Sequence, residues 1–255
     1  MDLGLRGRVA LVAAATSGLG LATARELAAA GADVAFCGRD GARLEAAREE
    51  IDAAGPGRAV ATRLDVRDHD AAAAWVDRTA ADLGGLHVLV TNAGGPPAGP
   101  ALGFGLDAYR DAVELCVLSH IALVQAAVPH MRGAGWGRVL MIASETMRQP
   151  APELALSGTA RPALAGFAKA LVRELGPAGI TVNVLAPGYH LTPAVEALLG
   201  DDREAGLAGI AAGIPLGRLG SPADFGAAAA FLASERAGFI TGTTLLVDGG
   251  LTQGI

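Results

Sequence analysis

The sequence predicts a doubly wound α/β domain, a parallel sheet of about seven strands with helices on both faces. Short β-branched or apolar runs alternate with longer helical patterns almost to the end of the chain. A glycine-containing turn joins the first such run to the first helical pattern. No Pro/Ser-rich linker or internal repeat interrupts the alternation, so residues 1–255 are expected to form a single domain.

In order, strands are expected at 9–13, 33–37, 59–64, 87–91, 138–143, 181–185 and 244–247. Each is a brief run rich in Val, Ile, Leu, Thr or Ala, the composition of strands buried on both faces. Helices are expected between them at 19–30, 42–53, 68–83, 106–131 and 154–175. Alanine-rich pieces such as 71–74 and 227–230 read as closely packed helix faces. The stretch 193–213, rich in Gly and Ala between prolines, is expected to be a mobile lid over a site.

Hydrophobic residues make up 51% of the chain and charged residues 18%, which argues for a compact globule and against disorder. The net charge of −6 gives no reason to expect a nucleic acid or an anionic membrane as partner. Cys37 and Cys116 offer neither a disulfide framework nor metal-ligand spacing, so no metal is expected and a reducing, cytoplasmic setting is the simplest reading. Arg6 and Arg8 ahead of the apolar run 9–15 superficially resemble a secretory signal, but the run is short and leads directly into a turn and helix. No stretch is expected to reach the length needed to span a bilayer.

The first strand ends in Ala13-Ala14-Ala15-Thr16-Ser17-Gly18-Leu19-Gly20, with a helix directly after it. Glycines at such a turn let the backbone approach a pyrophosphate, which sits on the helix N-terminus; this is the dinucleotide-binding arrangement of a Rossmann-type domain. After the second strand comes Cys37-Gly38-Arg39-Asp40, where such a fold reads the adenosine ribose. A carboxylate there would bind the 2′-hydroxyl of NAD(H). Gly38 and the cation Arg39 instead suit a 2′-phosphate, so NADP(H) is expected, with NAD(H) as the alternative.

Further motifs extend over nearly the whole chain: Thr91-Asn92-Ala93-Gly94, Leu64-Asp65-Val66, Asn183-Val184-Leu185-Ala186-Pro187-Gly188 with Thr192, and the tail from Ile240 to Gly250. Together they resemble the short-chain dehydrogenase/reductase family, particularly its 3-oxoacyl-carrier-protein reductases. The resemblance implies that Asp65 and Val66 lie by the adenine, that Asn92, Ala93 and Gly94 line the cofactor, and that Pro187, Gly188, His190 and Thr192 lie by the nicotinamide amide. It also implies pairing of the helices at 106–131 and 154–175 across a twofold axis, usually within a homotetramer, otherwise a homodimer. One departure is Ala13-Ala14 where the family usually has Thr-Gly; a methyl at 14 narrows the turn.

The family reduces carbonyls with a tyrosine acid, a lysine four residues later, a serine and a helical asparagine. Alignment on Ala163-Leu164-Ala165-Gly166-Phe167 puts Ser157 at the tyrosine and Arg161 at the lysine. Ser144 falls at the serine and Cys116 at the asparagine. The only tyrosines are Tyr109 and Tyr189 and the only lysine is Lys169, so the chain contains no Tyr-x-x-x-Lys. Arg161 could bond ribose hydroxyls, but a guanidinium is not a proton reservoir. Tyr189 and His190 are expected to supply an acid in place of the tyrosine, or a water held by Ser144 and Ser157 to relay one. Glu145 is a further candidate, expected to be solvated as a loop carboxylate.

The expected function is an NADP(H)-dependent oxidoreductase acting on a hydrophobic carbonyl or hydroxyl compound, given Pro96, Pro97, Phe104, Met147 and Leu191 around the site. The rivals are a catalytically silent NADP(H)-binding protein and a non-redox cyclase, dehydratase or isomerase reusing the pocket.

Overall fold

The computed structural model describes residues 2–199 and 202–254. Seven strands form one parallel sheet: β1 (Val9–Val12), β2 (Asp33–Gly38), β3 (Ala59–Arg63), β4 (Val88–Thr91), β5 (Gly137–Ile142), β6 (Ile180–Pro187) and β7 (Thr244–Val247). Their order is β3-β2-β1-β4-β5-β6-β7, with Ala10 paired to both Val34 of β2 and Val88 of β4. The chain therefore reverses its direction of travel across the sheet at β1/β4, the crevice where doubly wound folds hold ligands. The expected strands match these within a residue or two at most ends.

Helices α1 (Gly18–Ala29), α2 (Gly41–Asp52) and α3 (His69–Leu83) connect the first four strands. Local chemistry sets their limits. Asp40 and Asp68 accept from the backbone N–H of Arg43 and Ala71, capping α2 and α3, and Gly84 ends α3 in the left-handed region. Two cores fill the two faces of the sheet. One joins Trp75, Leu89, Leu123, Met131, Met141 and Leu164; the other joins Leu27, Phe36, Leu44, Leu140, Phe225 and Leu232.

The helix expected at 106–131 runs from Leu106 to Ala134 as α4 (Leu106–Val113), a wider π turn (Glu114–Leu118) and α5 (Ser119–Ala134). By length and apolarity alone these 29 residues would suffice to cross a bilayer, which corrects the expectation that no stretch approaches that length. Its apolar residues Leu123, Val124, Ala127 and Met131 are interior packing, part of the core beneath the sheet. Cys116 sits in the π turn, buried with Ala112, Val117, Leu156 and Ala160. The helix expected at 154–175 breaks into α6 (Ala155–Ala160) and α7 (Ala163–Leu175). The break falls at Arg161-Pro162, because proline has no N–H to continue the ladder.

The expected lid at 193–213 holds α8 (Pro193–Glu196) and α9 (Arg203–Ala212), joined by an Arg203–Glu196 ion pair; its residues 200 and 201 lie outside the described residues. Helix α10 (Pro222–Ala233) begins with a capping box between Ser221 and Asp224. It packs so closely on α1 that a Cβ at Gly226 would lie 2.8 Å from the Ala22 carbonyl oxygen.

Candidate functional site

A cavity of about 670 Å³ opens at the C-terminal ends of the central strands. Its walls gather Ala14, Thr16, Ser17, Gly18 and Leu19 after β1, Arg39 after β2, and Asp65 and Val66 after β3. Asn92, Ala93 and Gly94 after β4, Ser144 after β5, Ser157 and Arg161 on the α6–α7 elbow, and Pro187, Gly188, Tyr189, His190 and Thr192 after β6 complete it. Gly20 lies just behind this wall, where a Cβ would be 2.7 Å from the Ala14 carbonyl oxygen. Among the described residues no metal-binding cluster exists.

One end of the cavity is shaped for a dinucleotide. Helix α1 starts at Gly18 (φ +58°), has no side-chain cap from Ser17 and carries no acidic residue in its first turn. Asp or Ser side chains cap α2, α3, α9 and α10, whereas α1, like α4, α6 and α7, has no side-chain cap. The start of α1 at Gly18 and Leu19 lines the cavity, where its first-turn N–H groups can meet an anion. The Asn92 amide holds the turn by donating to the Ala14 carbonyl at 3.1 Å. Ala14 is the one non-glycine among the described residues in the left-handed region, at φ +47°. That is the backbone shape a glycine adopts without strain.

At the end of the cavity beside β2, a Cβ at Gly38 would overlap the Thr16 methyl, so any side chain there requires Thr16 to turn away. Arg39, Arg43 and Arg67 line this end. Asp65 anchors the cluster, 2.6 Å from Arg67 and 3.9 Å from Arg39. Its carboxyl is held below the usual range by the Arg67 hydrogen bond, against a partial opposing effect of burial. Arg43 and Arg67 were not legible as site residues, although Arg43 follows Arg39 by one helical turn.

The other end holds a hydroxyl-lined floor. The Ser144 hydroxyl donates to Glu145 Oε2 at 2.8 Å, and the Thr146 hydroxyl donates to Ser144 Oγ at 3.0 Å. Thr146 Oγ1 also lies 3.1 Å from Ser157 Oγ. Glu145 is buried, contrary to the expectation of a solvated loop carboxylate. Burial pushes its carboxyl above the usual range, opposed by the Ser144 hydrogen bond and the Arg161 cation.

Arg161 is buried too, and two of its amino groups donate to the carbonyls of Ile142 and Gly94. It thereby ties the ends of β4 and β5 together across the site. Tyr189 is half-buried in the cavity wall, its phenol pushed up by burial and by Glu145. The His190 ring turns from the hydroxyl floor: Nδ1 lies 3.0 Å from the Gly188 carbonyl and the ring packs edge-on against Phe225. Burial holds that imidazole below its usual value, against the pull of the Gly188 carbonyl.

His120, one turn beyond Cys116, is fully buried with Nδ1 2.7 Å from Thr91 Oγ1. Burial, with a smaller effect from Arg161, lowers it to about 3, so the ring is neutral. Of the apolar residues expected around the substrate, only Pro96 lines the cavity. Leu115, Leu154, Val195 and Leu198 are among the other apolar residues that line it. Leu191 opens onto a second hollow, and Pro97, Phe104 and Met147 belong to neither.

Comparison with known proteins places this geometry. The sequence model of the enoyl-(acyl carrier protein) reductase family matches residues 13–252. The chain is 38% identical to the cis-4-hydroxycyclohexanecarboxylate dehydrogenase of Sinomonas cyclohexanicum over 246 residues, 96% of each chain. It is 34% identical to the 3-oxoacyl-[acyl-carrier-protein] reductase of Escherichia coli, over 98% of this chain and 99% of that one. Among solved structures, the L-sorbose reductase of Gluconobacter frateurii in complex with NADPH and L-sorbose superposes with a TM-score of 0.94 at 30% identity, covering 100% of both chains.

Proposed function

The chain belongs to the short-chain dehydrogenase/reductase family, and on that premise we propose that it is an NADP(H)-dependent oxidoreductase interconverting an apolar carbonyl compound and its alcohol. The observation that carries this reading is the joining, in one cavity, of a free helix N-terminus, an arginine-lined adenosine end and a floor of serine hydroxyls. A dinucleotide fits those residues. The α1 N-terminus and Thr16 hold the pyrophosphate, Arg39, Arg43 and Arg67 the 2′-phosphate, and Pro187, Gly188 and Thr192 the amide end. When bound, the nicotinamide supplies hydride to the substrate carbon.

The remaining chemistry falls to the chain itself. As hydride arrives, the carbonyl oxygen gains negative charge and needs a hydrogen bond and a proton. Ser144 supplies the hydrogen bond, and Ser157, reaching it through Thr146, holds the floor rigid. The proton source is not a tyrosine–lysine pair, because Ser157 and Arg161 occupy those aligned positions. Tyr189 walls the substrate, whereas His190 serves through its backbone and through the packing of its ring on Phe225. Leu154, Val195 and Leu198 favour an apolar substrate body. The two buried free thiols suit a reducing, cytoplasmic compartment, and the helix pair α4–α5 and α7 suits a homotetramer.

Loss of the aligned tyrosine and lysine equally favours a second reading, in which the chain binds NADP(H) without turning it over. One experiment separates the two. NADPH consumption is followed by absorbance with a panel of cyclic and long-chain ketones, beside a fluorescence titration of the cofactor. Saturable binding with ketone-dependent consumption supports the oxidoreductase. Saturable binding with no consumption across the panel supports the silent binder, and no binding refutes both.

A further inference from the structure

Among the described residues Glu145 is the one carboxyl hydrogen-bonded to the hydroxyl floor, and it is buried but for an edge at the cavity wall. Four oxygens form a continuous chain: Glu145 Oε2 to Ser144 Oγ (2.8 Å), on to Thr146 Oγ1 (3.0 Å), and on to Ser157 Oγ (3.1 Å). Ser144, Glu145 and Ser157 line the cavity, while Thr146 is buried between them. Three charged or titratable groups from other elements act on Glu145: the Arg161 cation on the α6–α7 elbow, Asp248 beyond β7 and Tyr189 beyond β6. The carboxyl has no salt-bridge partner within 4 Å among the described residues, and burial outweighs the Ser144 hydrogen bond and the more distant Arg161 cation that favour its anion. Of the other candidates, the Tyr189 phenol stands in the cavity wall but is made a weaker acid by burial and by Glu145. Arg161 bonds main-chain carbonyls, and the His190 ring lies against Phe225 and Gly220.

We propose that Glu145 is the proton source of the site and acts through Ser144, the hydroxyl that meets the substrate oxygen. The inference rests on the oxidoreductase reading above. In the reductive direction, hydride from the reduced nicotinamide forms the new C–H bond, and the carbonyl π pair moves onto oxygen. The Ser144 O–H bond breaks as its proton passes to that oxygen. The Glu145 carboxylic proton passes to Ser144 Oγ, restoring the hydroxyl, and the resulting carboxylate takes a proton from water. One hydride and one proton are added and the serine is regenerated. The 2.8 Å contact serves both states: a carboxylate accepts from Ser144, and a neutral carboxyl donates to Ser144 Oγ beside the Thr146 N–H (3.2 Å) once the Thr146 hydroxyl turns to donate to Ser157. In the family pattern an acidic phenol and a lysine share this work; here a largely buried carboxyl at the cavity wall does it.

The position of Glu145 behind Ser144 makes it a positioning residue for the proton, so its test needs a readout that packing alone would not move. In protein carrying ¹³C-carboxyl glutamate, one resonance should titrate above the ordinary glutamate range and be absent from Glu145→Gln. The same resonance should move further upward in Ser144→Ala, which removes the hydrogen bond favouring the carboxylate. Ketone reduction should fall as pH rises through that titration, and Glu145→Gln should reduce at least tenfold more slowly with that limb gone. NADPH binding by Glu145→Gln should match the wild type, which reports that the variant is folded. A Glu145 resonance in the ordinary range overturns the proposal, and needs no variant to fold. So does a Glu145→Gln enzyme that keeps its rate and its alkaline limb. A wild-type chain that binds NADPH but reduces nothing overturns the functional reading instead, and the relay falls with it.

Discussion

Replacing Arg39 by alanine should weaken NADPH binding at least tenfold and leave NADH binding within about twofold. The magnitude follows from the geometry of the adenosine end. Arg39 is 74% exposed in its side chain and held only at 3.9 Å from Asp65, so its guanidinium is free to turn onto a 2′-phosphate. A charge-assisted hydrogen bond contributes about 1.5–3 kcal/mol, and exposure to solvent places this one at the lower end. About 1.4 kcal/mol is a factor of ten. NADH lacks the phosphate and should not register the loss. A carboxylate at 38 that would favour NADH is absent, and one placed there would first have to displace the Thr16 methyl. Fluorescence titration of both cofactors against wild type and Arg39→Ala gives the ratio directly, and the wild-type preference should shrink as salt rises. Equal affinities in the wild type, or a preference untouched by the substitution, would refute the assignment of the arginine cluster.

Ala14→Gly should raise stability by up to about 1.6 kcal/mol: relief of a left-handed alanine contributes about 1–2 kcal/mol, and the freer unfolded chain takes back about 0.4–1 kcal/mol. Urea unfolding checks it, and a destabilised glycine variant would show that the turn is not strained at 14. His120 titrates near 3 in the folded chain against 6.5 unfolded, so its stabilisation is full above 6.5 and is lost as pH falls through the lower value. At pH 4.5 the loss is about 2.7 kcal/mol, two pH units at 1.36 kcal/mol each, and His120→Gln should lack that part of the acid slope. Identical slopes between pH 6.5 and 4.5 would contradict a neutral, buried ring. Leu106, Val113 and Leu118 are exposed along α4 and the π turn, so sedimentation at micromolar concentration should show an oligomer. A purely monomeric chain would remove the assembly proposal.

The strands and the cofactor frame were legible because they depend on local signals. Val9–Val12 is a continuous apolar run, Ile180–Pro187 is rich in β-branched and apolar residues around Thr181 and Asn183, and the turn through Gly18 carries its own stereochemistry. The helix break at Pro162 was visible as a proline but outweighed by the apolar periodicity on either side of it. The π turn around Cys116 has no sequence signature at all, since its residues would continue an α-helix equally well. The burial of Glu145 could not be read locally. It arises because the ends of β5 and β6 and the tail at Asp248 converge on one loop, a consequence of strand order rather than of neighbouring residues. The direction of the His190 ring depends likewise on Phe225 and Gly220, which α10 and the segment before it bring from far along the chain.

The central claim is that this cavity moves a hydride despite the serine and arginine at the aligned tyrosine and lysine positions. It is tested most directly by incubating the chain with NADPH deuterated at the transferred C4 position and a cyclic ketone, and weighing the alcohol by mass spectrometry. The account predicts one deuterium per product molecule, carried on the carbinol carbon. Product without the label, or saturable NADPH binding with no alcohol formed, would contradict it.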